Sequence, residues 1–153
     1  MAVLIILLVS LLGIINQANS LHVPFKDCSK GPKTVTIKYV DISPCKKSPC
    51  TVTKGKNYTI SIDFMTGTEG AKNLTASIFA DIKGQEFPYP NPQPDACKDS
   101  GIVCPVKAKA EYTYDATFLV PKFVPHMAVV VGFRLKNEKD VEFLCVEVPC
   151  VVS

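Results

Sequence analysis

The sequence predicts an all-β protein, an immunoglobulin-like sandwich of two antiparallel sheets. Apolar and polar residues alternate over several short segments, the period of two that is typical of strands with one dry and one wet face. Twelve prolines and eight glycines among β-branched residues also favour sheets and turns over helices. No apolar period of 3.6 residues runs long enough to predict a helix. Six to eight antiparallel strands of this kind bury their dry faces against each other in two packed sheets.

The alternation occurs in six segments. The first, residues 33–42, places Val35, Ile37 and Tyr39 on one face and is expected to shift register near Val40. The other five follow in chain order at residues 58–64, 74–82, 112–118, 127–135 and 144–148. A polar run between the last two predicts a hairpin turn.

The first twenty residues are typical of a signal peptide. Residues 2–15 are almost entirely apolar, and no charged side chain occurs before Lys26. This run is too short to span a bilayer, which takes about 20 residues. Small residues at Ala18 and Ser20 have the spacing that a signal peptidase needs. The prediction is a signal peptide over residues 1–20, with an uncleaved membrane anchor as the alternative.

Residues 21–153 are enough for one domain with a real core and too few for two. The net charge of +3, with 20% charged residues, is too mild for a nucleic-acid-binding protein. The single arginine is Arg134, and lysines are scattered along the strands. Scattered lysines usually form a solvated surface, and the alternative is attraction to anionic lipid head groups or an acidic partner.

Six of the seven cysteines form a nested pattern: one near each end of the domain and two close pairs between them. They are Cys28, Cys45, Cys50, Cys97, Cys104 and Cys145. Six cysteines allow 15 pairings, and sequence alone does not choose among them. Each close pair brackets a loop short enough for a bridge to close. A bridge between the two terminal cysteines would then contribute roughly 4–5 kcal/mol by loop-closure entropy.

Neither a metal site nor an enzyme is predicted. The cysteine spacings are not those of zinc ligands, and only His22 and His126 could assist them. For catalysis, Cys150 with one of these histidines is the only candidate nucleophile. Neither histidine has an evident orienting carboxylate in the sequence. No cofactor is implied.

Several short motifs occur in a fixed order between the cysteines. They are Phe25-Lys26-Asp27-Cys28, Ser43-Pro44-Cys45, Pro49-Cys50, Lys54-Gly55, Tyr58, Pro94-Asp95-Ala96-Cys97, Cys104-Pro105 and Cys145-Val146-Glu147-Val148-Pro149. Together they resemble the MD-two-related lipid-recognition (ML) family, and within it the secreted Niemann–Pick type C two-like carriers. Val120-Pro121-Lys122 followed by Pro125 resembles the arthropod branch. The resemblance covers essentially all of residues 21–153.

The resemblance implies that the two sheets splay apart around a deep apolar pocket. It implies the disulfides Cys28–Cys145, Cys45–Cys50 and Cys97–Cys104. It also implies a pocket lining, most of which lies on the apolar stripes described above. The implied lining residues are Ile42, Val52, Tyr58, Ile60, Phe64, Tyr89, Phe118, Val120, Val124, Pro125, Met127, Val129, Phe133, Val146 and Val148. The alternative without the resemblance is that these stripes fill an ordinary core.

Residues 87–94 have a proline at every second position, which removes backbone donors and favours an extended, stiff segment. We interpret it as a rim that places Phe87 and Tyr89 at the pocket mouth. The alternative is an edge-protecting loop. Tyr89 and Lys122 are the candidates for orienting a ligand's polar head.

Departures from the family pattern bear on the choice of ligand. Vertebrate members carry tryptophans at the positions of Phe133 and Val146, a tyrosine at Val124 and a phenylalanine at Tyr89. Smaller side chains at three of these positions reshape the cavity and favour broader selectivity. The predicted function is a secreted lipid-binding carrier that holds a sterol, fatty acid or similar hydrophobic ligand and transfers it. The alternative is lipid recognition in innate immunity or chemical communication.

The predicted partners are a hydrophobic small molecule and, transiently, a membrane or membrane receptor; no nucleic acid is expected, and the protein is expected to be a monomer. The expected location is extracellular, with the lysosomal lumen as the alternative. Cys150, five residues after Cys145, is expected to face the cavity beside Val148 as a free thiol. Asn57 and Asn73 begin glycosylation sequons.

Overall fold

The computed structural model describes residues 21–153, so the predicted signal peptide at residues 1–20 lies outside the described residues. The described chain forms ten β-strands. They are β1 (Leu21–His22), β2 (Lys26–Asp27), β3 (Val35–Ser43), β4 (Cys50–Val52), β5 (Asn57–Thr66), β6 (Leu74–Ile82), β7 (Gln85–Tyr89), β8 (Glu111–Leu119), β9 (Met127–Asn137) and β10 (Glu142–Val152). None of these residues forms a helix, and accordingly no membrane-spanning helix is found among them.

The strands form two sheets, which confirms the predicted sandwich. One sheet has the order β1-β3-β5-β8, and the other has the order β2-β10-β9-β6-β7, with β4 also paired to β10. All pairs are antiparallel except β4 with β10, which is parallel. The expectation of six to eight strands, all antiparallel, was therefore wrong in number, since ten strands form, and in direction, since β4 is parallel to β10. β1, β2 and β4 have only two or three residues each, too few to show an alternation in sequence.

The register of β3 shifts earlier than expected. Ile37 is opposite Phe64, but Tyr39 is opposite Asp63, so Lys38 is an extra residue in a β-bulge. A bulge exchanges the two faces of the strand beyond it. Tyr39 is consequently 43% exposed on the wet face, and its assignment to the dry face was wrong.

Two aromatic contacts join the sheets through the core. The ring of Phe64 on β5 lies edge-on to that of Phe143 on β10, with centroids 6.3 Å apart. The ring of Phe118 on β8 lies 5.7 Å from that of Phe133 on β9. Both contacts cross from one sheet to the other, so the sandwich is filled by side chains at these two places.

Three disulfides connect six of the seven described cysteines. They are Cys28–Cys145, Cys45–Cys50 and Cys97–Cys104. The first attaches the residue after β2 to the middle of β10, and the other two close short loops. Cys150 is free and buried.

Candidate ligand-binding cavity

A cavity of about 460 Å³ lies between the sheets, next to the strands that form their free edges. β7 is the last strand of the larger sheet and β8 is the last strand of the smaller one. The larger sheet contributes β6, β7, β9 and the last residues of β4 and β10, whereas β8 and the residues after it form the facing wall. The volume falls in the range of about 300–1,000 Å³ that is usual for small-molecule sites.

The wall is almost entirely apolar. It consists of Val52, Ile78, Phe79, Ala80, Ile82, Phe87, Tyr89, Pro90, Phe118, Leu119, Val120, Pro121, Phe123, Val124, Met127, Val129, Val131 and Val152. Phe79 borders the cavity although its ring lies against Gly132 and Arg134 on the other face of the sheet. No charged side chain is among the wall residues, and only Tyr89 carries an N–H or O–H group. Burying apolar area in such a cavity stabilises the bound ligand, whereas no side chain of the wall would stabilise a buried charge.

The mouth is bordered by large apolar side chains that face water. Phe87 and Leu119 are about half exposed, and Phe123 is 87% exposed. Phe123 lies in the turn after β8, which is held by a 2.7 Å hydrogen bond from the Gly55 amide to the Val120 carbonyl. An exposed phenylalanine on a fixed turn at the mouth is positioned to meet an apolar partner.

Tyr89 crosses the gap between the two sheets at the mouth. Its hydroxyl on β7 donates a hydrogen bond to the backbone carbonyl of Leu119 on β8. Burial raises the pKa of the Tyr89 phenol above its ordinary value of 10.0, which is itself far above neutral pH, so the hydroxyl has its proton to donate. The two free edges are thereby connected by a side chain rather than by backbone pairing.

A family model described as the ML domain matches residues 22–152. The chain belongs to the ML-domain family. It is 38% identical over 138 residues to NPC intracellular cholesterol transporter 2 of Mus musculus, covering 90% of this chain and 89% of that one. It is 33% identical to NPC intracellular cholesterol transporter 2 homolog a of Drosophila melanogaster, covering 84% and 86%. The crystal structure of a Niemann-Pick type C2 protein from Japanese carpenter ant superposes with a TM-score of 0.75 at 29% identity, covering 85% of this chain and 99% of that one.

The ML-domain cavity brings together part of the lining set predicted from sequence. Eight of the residues predicted for the lining or the rim line it: Val52, Phe87, Tyr89, Phe118, Val120, Val124, Met127 and Val129. Seven others lie in the continuous buried core and do not reach the wall: Ile42, Tyr58, Ile60, Phe64, Phe133, Val146 and Val148. Pro125 is exposed beyond the mouth.

This division follows the strands. The core residues come mainly from β3, β5 and β10, where side chains such as Phe64 and Phe143 fill the space between the sheets. The predicted residues that do line the wall come from β4, β7, β8, β9 and the turn after β8. Phe133 touches Phe118 across the sheets, so this pair marks where the cavity ends and the solid core begins.

Sequence reasoning missed the wall residues on β6. Ile78, Ala80 and Ile82 continue the same dry stripe as Leu74 and Ala76, so the alternation already assigned them to the interior. Leu119, Pro121 and Phe123 had no such signal, because their positions depend on how the turn after β8 folds over the mouth.

The ML-domain interior also contains the free thiol. Cys150 lies opposite Val129 of β9 and beside Cys50 of β4, and it is 1% exposed. Its side chain is on the inner face, as expected from the spacing to Cys145. Cys150 is not among the wall residues of the cavity, however. Burial raises the pKa of its thiol to about 12.

The buried thiol predicts a loss of stability in alkali. The ordinary thiol pKa is 9.0, so between that pH and about 12 the unfolded chain has released a proton that the folded chain keeps. Stability then falls as pH rises, by at most about 1.4 kcal/mol per pH unit for one group. We expect Cys150→Ala to make the unfolding free energy decline less steeply above pH 9 in denaturant titrations. Equal slopes in the two proteins would contradict a buried, protonated thiol.

The two histidines do not join Cys150 in a catalytic arrangement. His22 is exposed and, contrary to the sequence expectation, has a carboxylate partner, because its Nδ1 contacts Asp41 across β1 and β3. His126 is exposed in the turn before β9. Within residues 21–153, no three His, Cys, Asp or Glu side chains are grouped to hold a metal ion.

Both predicted glycosylation sites are accessible in the described chain. Asn57 is exposed at the first position of β5, and Asn73 is exposed just before β6. Their use in the cell stays a prediction.

Proposed function

We propose that this ML-domain protein is a secreted monomeric carrier, which holds one sterol, fatty acid or similar hydrophobic molecule in the cavity and transfers it between membranes. The observation that carries the proposal is the wall itself: about 460 Å³ enclosed by apolar side chains with one hydroxyl. Relatives that match over most of their length bear the name cholesterol transporter. Three disulfides support an oxidising, extracytoplasmic location.

The physical basis of binding is the transfer of the ligand's apolar surface out of water. Each Å² removed from water contributes about 25 cal/mol. For a ligand of drug-like size, about 0.3 kcal/mol per heavy atom gives an affinity that is micromolar or better. No polar constellation is needed for this, which agrees with the composition of the wall.

Filling the cavity tests the proposal directly. Ala80 lines the wall on β6, so we expect Ala80→Trp to occupy the ligand's space and weaken binding of a fluorescent sterol or fatty-acid probe by at least about tenfold. The matched control is Thr117→Trp, since Thr117 is exposed on the outer face of β8. The carrier proposal fails if sterols and fatty acids alike do not bind the wild type at micromolar protein.

Delivery is proposed to occur by contact of the mouth with an anionic membrane. Phe123 projects into water. The side chain of the preceding residue, Lys122, lies against Gly55, with its Cε 3.1 Å from the position that a Cβ on this glycine would take. Lys54 and Lys56 flank that glycine and are exposed. An aromatic ring beside three lysines fits a bilayer interface, where each lysine near anionic head groups contributes about 1 kcal/mol.

Removing the exposed ring should weaken this contact. We expect Phe123→Ser to reduce cosedimentation with vesicles that contain phosphatidylserine by about tenfold, and to slow lipid transfer to them in proportion. Val103→Ser is the control, because Val103 is 80% exposed in the Cys97–Cys104 loop and is not among the wall residues. Equal losses in both variants would show that the mouth has no special role.

A further inference from the structure

The cavity wall contains one side chain that can take part in a full hydrogen bond with a ligand. Of all the residues that line it, only Tyr89 bears a hydroxyl, and it lies at the mouth beside Phe87 and Pro90. Lys122 is exposed, and its stem lies against Gly55 rather than in the wall. A ligand head that stops at the mouth therefore meets the oxygen of Tyr89.

The proton of this hydroxyl already makes a hydrogen bond within the protein, to the backbone carbonyl of Leu119. β8 is an edge strand, and the amide of Asp115 points away from β5, since it donates to the Ser100 carbonyl at 2.8 Å. Leu119 is four residues further on, so its peptide groups point the same way, toward β7. The Leu119 carbonyl has no strand beyond it to pair with, and the Tyr89 hydroxyl supplies the donor.

A phenol that has donated its one proton can only accept further hydrogen bonds. Donation to a carbonyl also polarises the O–H bond and strengthens the oxygen as an acceptor. The wall thus presents a ligand with an acceptor and with no side-chain donor.

We propose that Tyr89 is a specificity-determining residue that selects lipids bearing a hydrogen-bond donor, in practice a hydroxyl, over ethers of the same skeleton. The inference rests on the proposed carrier function and narrows its ligand class. A lipid alcohol gives its proton to Tyr89 while its apolar body fills the cavity. An ether places an unpaired oxygen against an acceptor and loses this bond.

The test compares two matched ligand pairs in three proteins. The pairs are cholesterol with its 3-methyl ether, and hexadecanol with hexadecyl methyl ether; affinities come from displacement of a fluorescent sterol. The proteins are the wild type, Tyr89→Phe and the control Tyr112→Phe. Tyr112 accepts a hydrogen bond from the Lys107 amide and does not line the cavity.

We expect the alcohol-to-ether affinity ratio to fall by about fivefold in Tyr89→Phe, the effect of one net hydrogen bond at a half-exposed site, and to be unchanged in Tyr112→Phe. Using the change in the ratio removes the intrinsic difference in hydrophobicity between alcohol and ether. The same ratio in the wild type and Tyr89→Phe would overturn this inference and leave the carrier function standing. Failure of all four ligands to displace the probe from the wild type would overturn both.

Discussion

Removing the Cys28–Cys145 disulfide, by replacing both cysteines with alanine, is expected to lower the free energy of unfolding by about 4–5 kcal/mol. The bridge joins residues 117 apart in sequence, so it restricts nearly the whole unfolded domain. It also holds β2, which pairs with β10 through only two residues. The amide of Cys28 donates to the carbonyl of Cys145 at 3.1 Å, and this contact depends on the same attachment.

The matched comparison is the double replacement of Cys97 and Cys104 by alanine. That bridge spans a separation of only seven residues, for which loop-closure entropy gives about 2–3 kcal/mol. Both variants leave Cys150 as the free thiol, so neither creates a new partner for exchange. Denaturant titrations without reductant measure the difference. If the two replacements cost the same, chain entropy is not the main contribution of the terminal bridge.

The sandwich could be predicted from sequence because alternation reports which face of a strand is dry. The same signal does not report whether the opposite sheet is in contact with that face. Ile60 and Phe118 both lie on dry stripes and belong to the buried core, yet only Phe118 also lines the cavity. The difference is set by position in the fold: Phe118 lies near the end of the edge strand β8, beside the turn at the mouth, whereas Tyr114 in the middle of β8 is buried in the core as Ile60 is.

Local features that depend on three-dimensional pairing were also hidden. A register shift in β3 was expected near Val40, but its position at Lys38 becomes apparent only when β3 is aligned with β5. The parallel addition of β4 to β10 joins two segments about a hundred residues apart, and three residues are too few for a sequence pattern. The hydrogen bond from Tyr89 to Leu119 could not be predicted for the same reason, because Leu119 acquires a free carbonyl only once β8 is known to be an edge.

Gly132→Ala is expected to destabilise the protein by about 3 kcal/mol, through a side chain on the outer face of the larger sheet. Gly132 on β9 is directly opposite Phe79 on β6. A Cβ at Gly132 would lie 2.0–2.4 Å from three atoms of the Phe79 ring, so the ring would have to leave its place. Phe79 is buried there under Arg134, whose guanidinium carbon is 4.5 Å from the ring centroid. Overpacking and the loss of these contacts together give the expected cost.

The partner variant Phe79→Ala separates this cause from others. Once the ring is absent, a methyl group at Gly132 meets no obstacle, and alanine suits a strand interior better than glycine does. We therefore expect Gly132→Ala to be neutral or slightly stabilising in the Phe79→Ala background, measured by denaturant titration. A full loss of about 3 kcal/mol in both backgrounds would mean that the backbone, and not the ring, requires glycine. Because Ile78 and Ala80 flank Phe79 and line the cavity, displacement of the ring in the single variant should also weaken binding of the sterol probe.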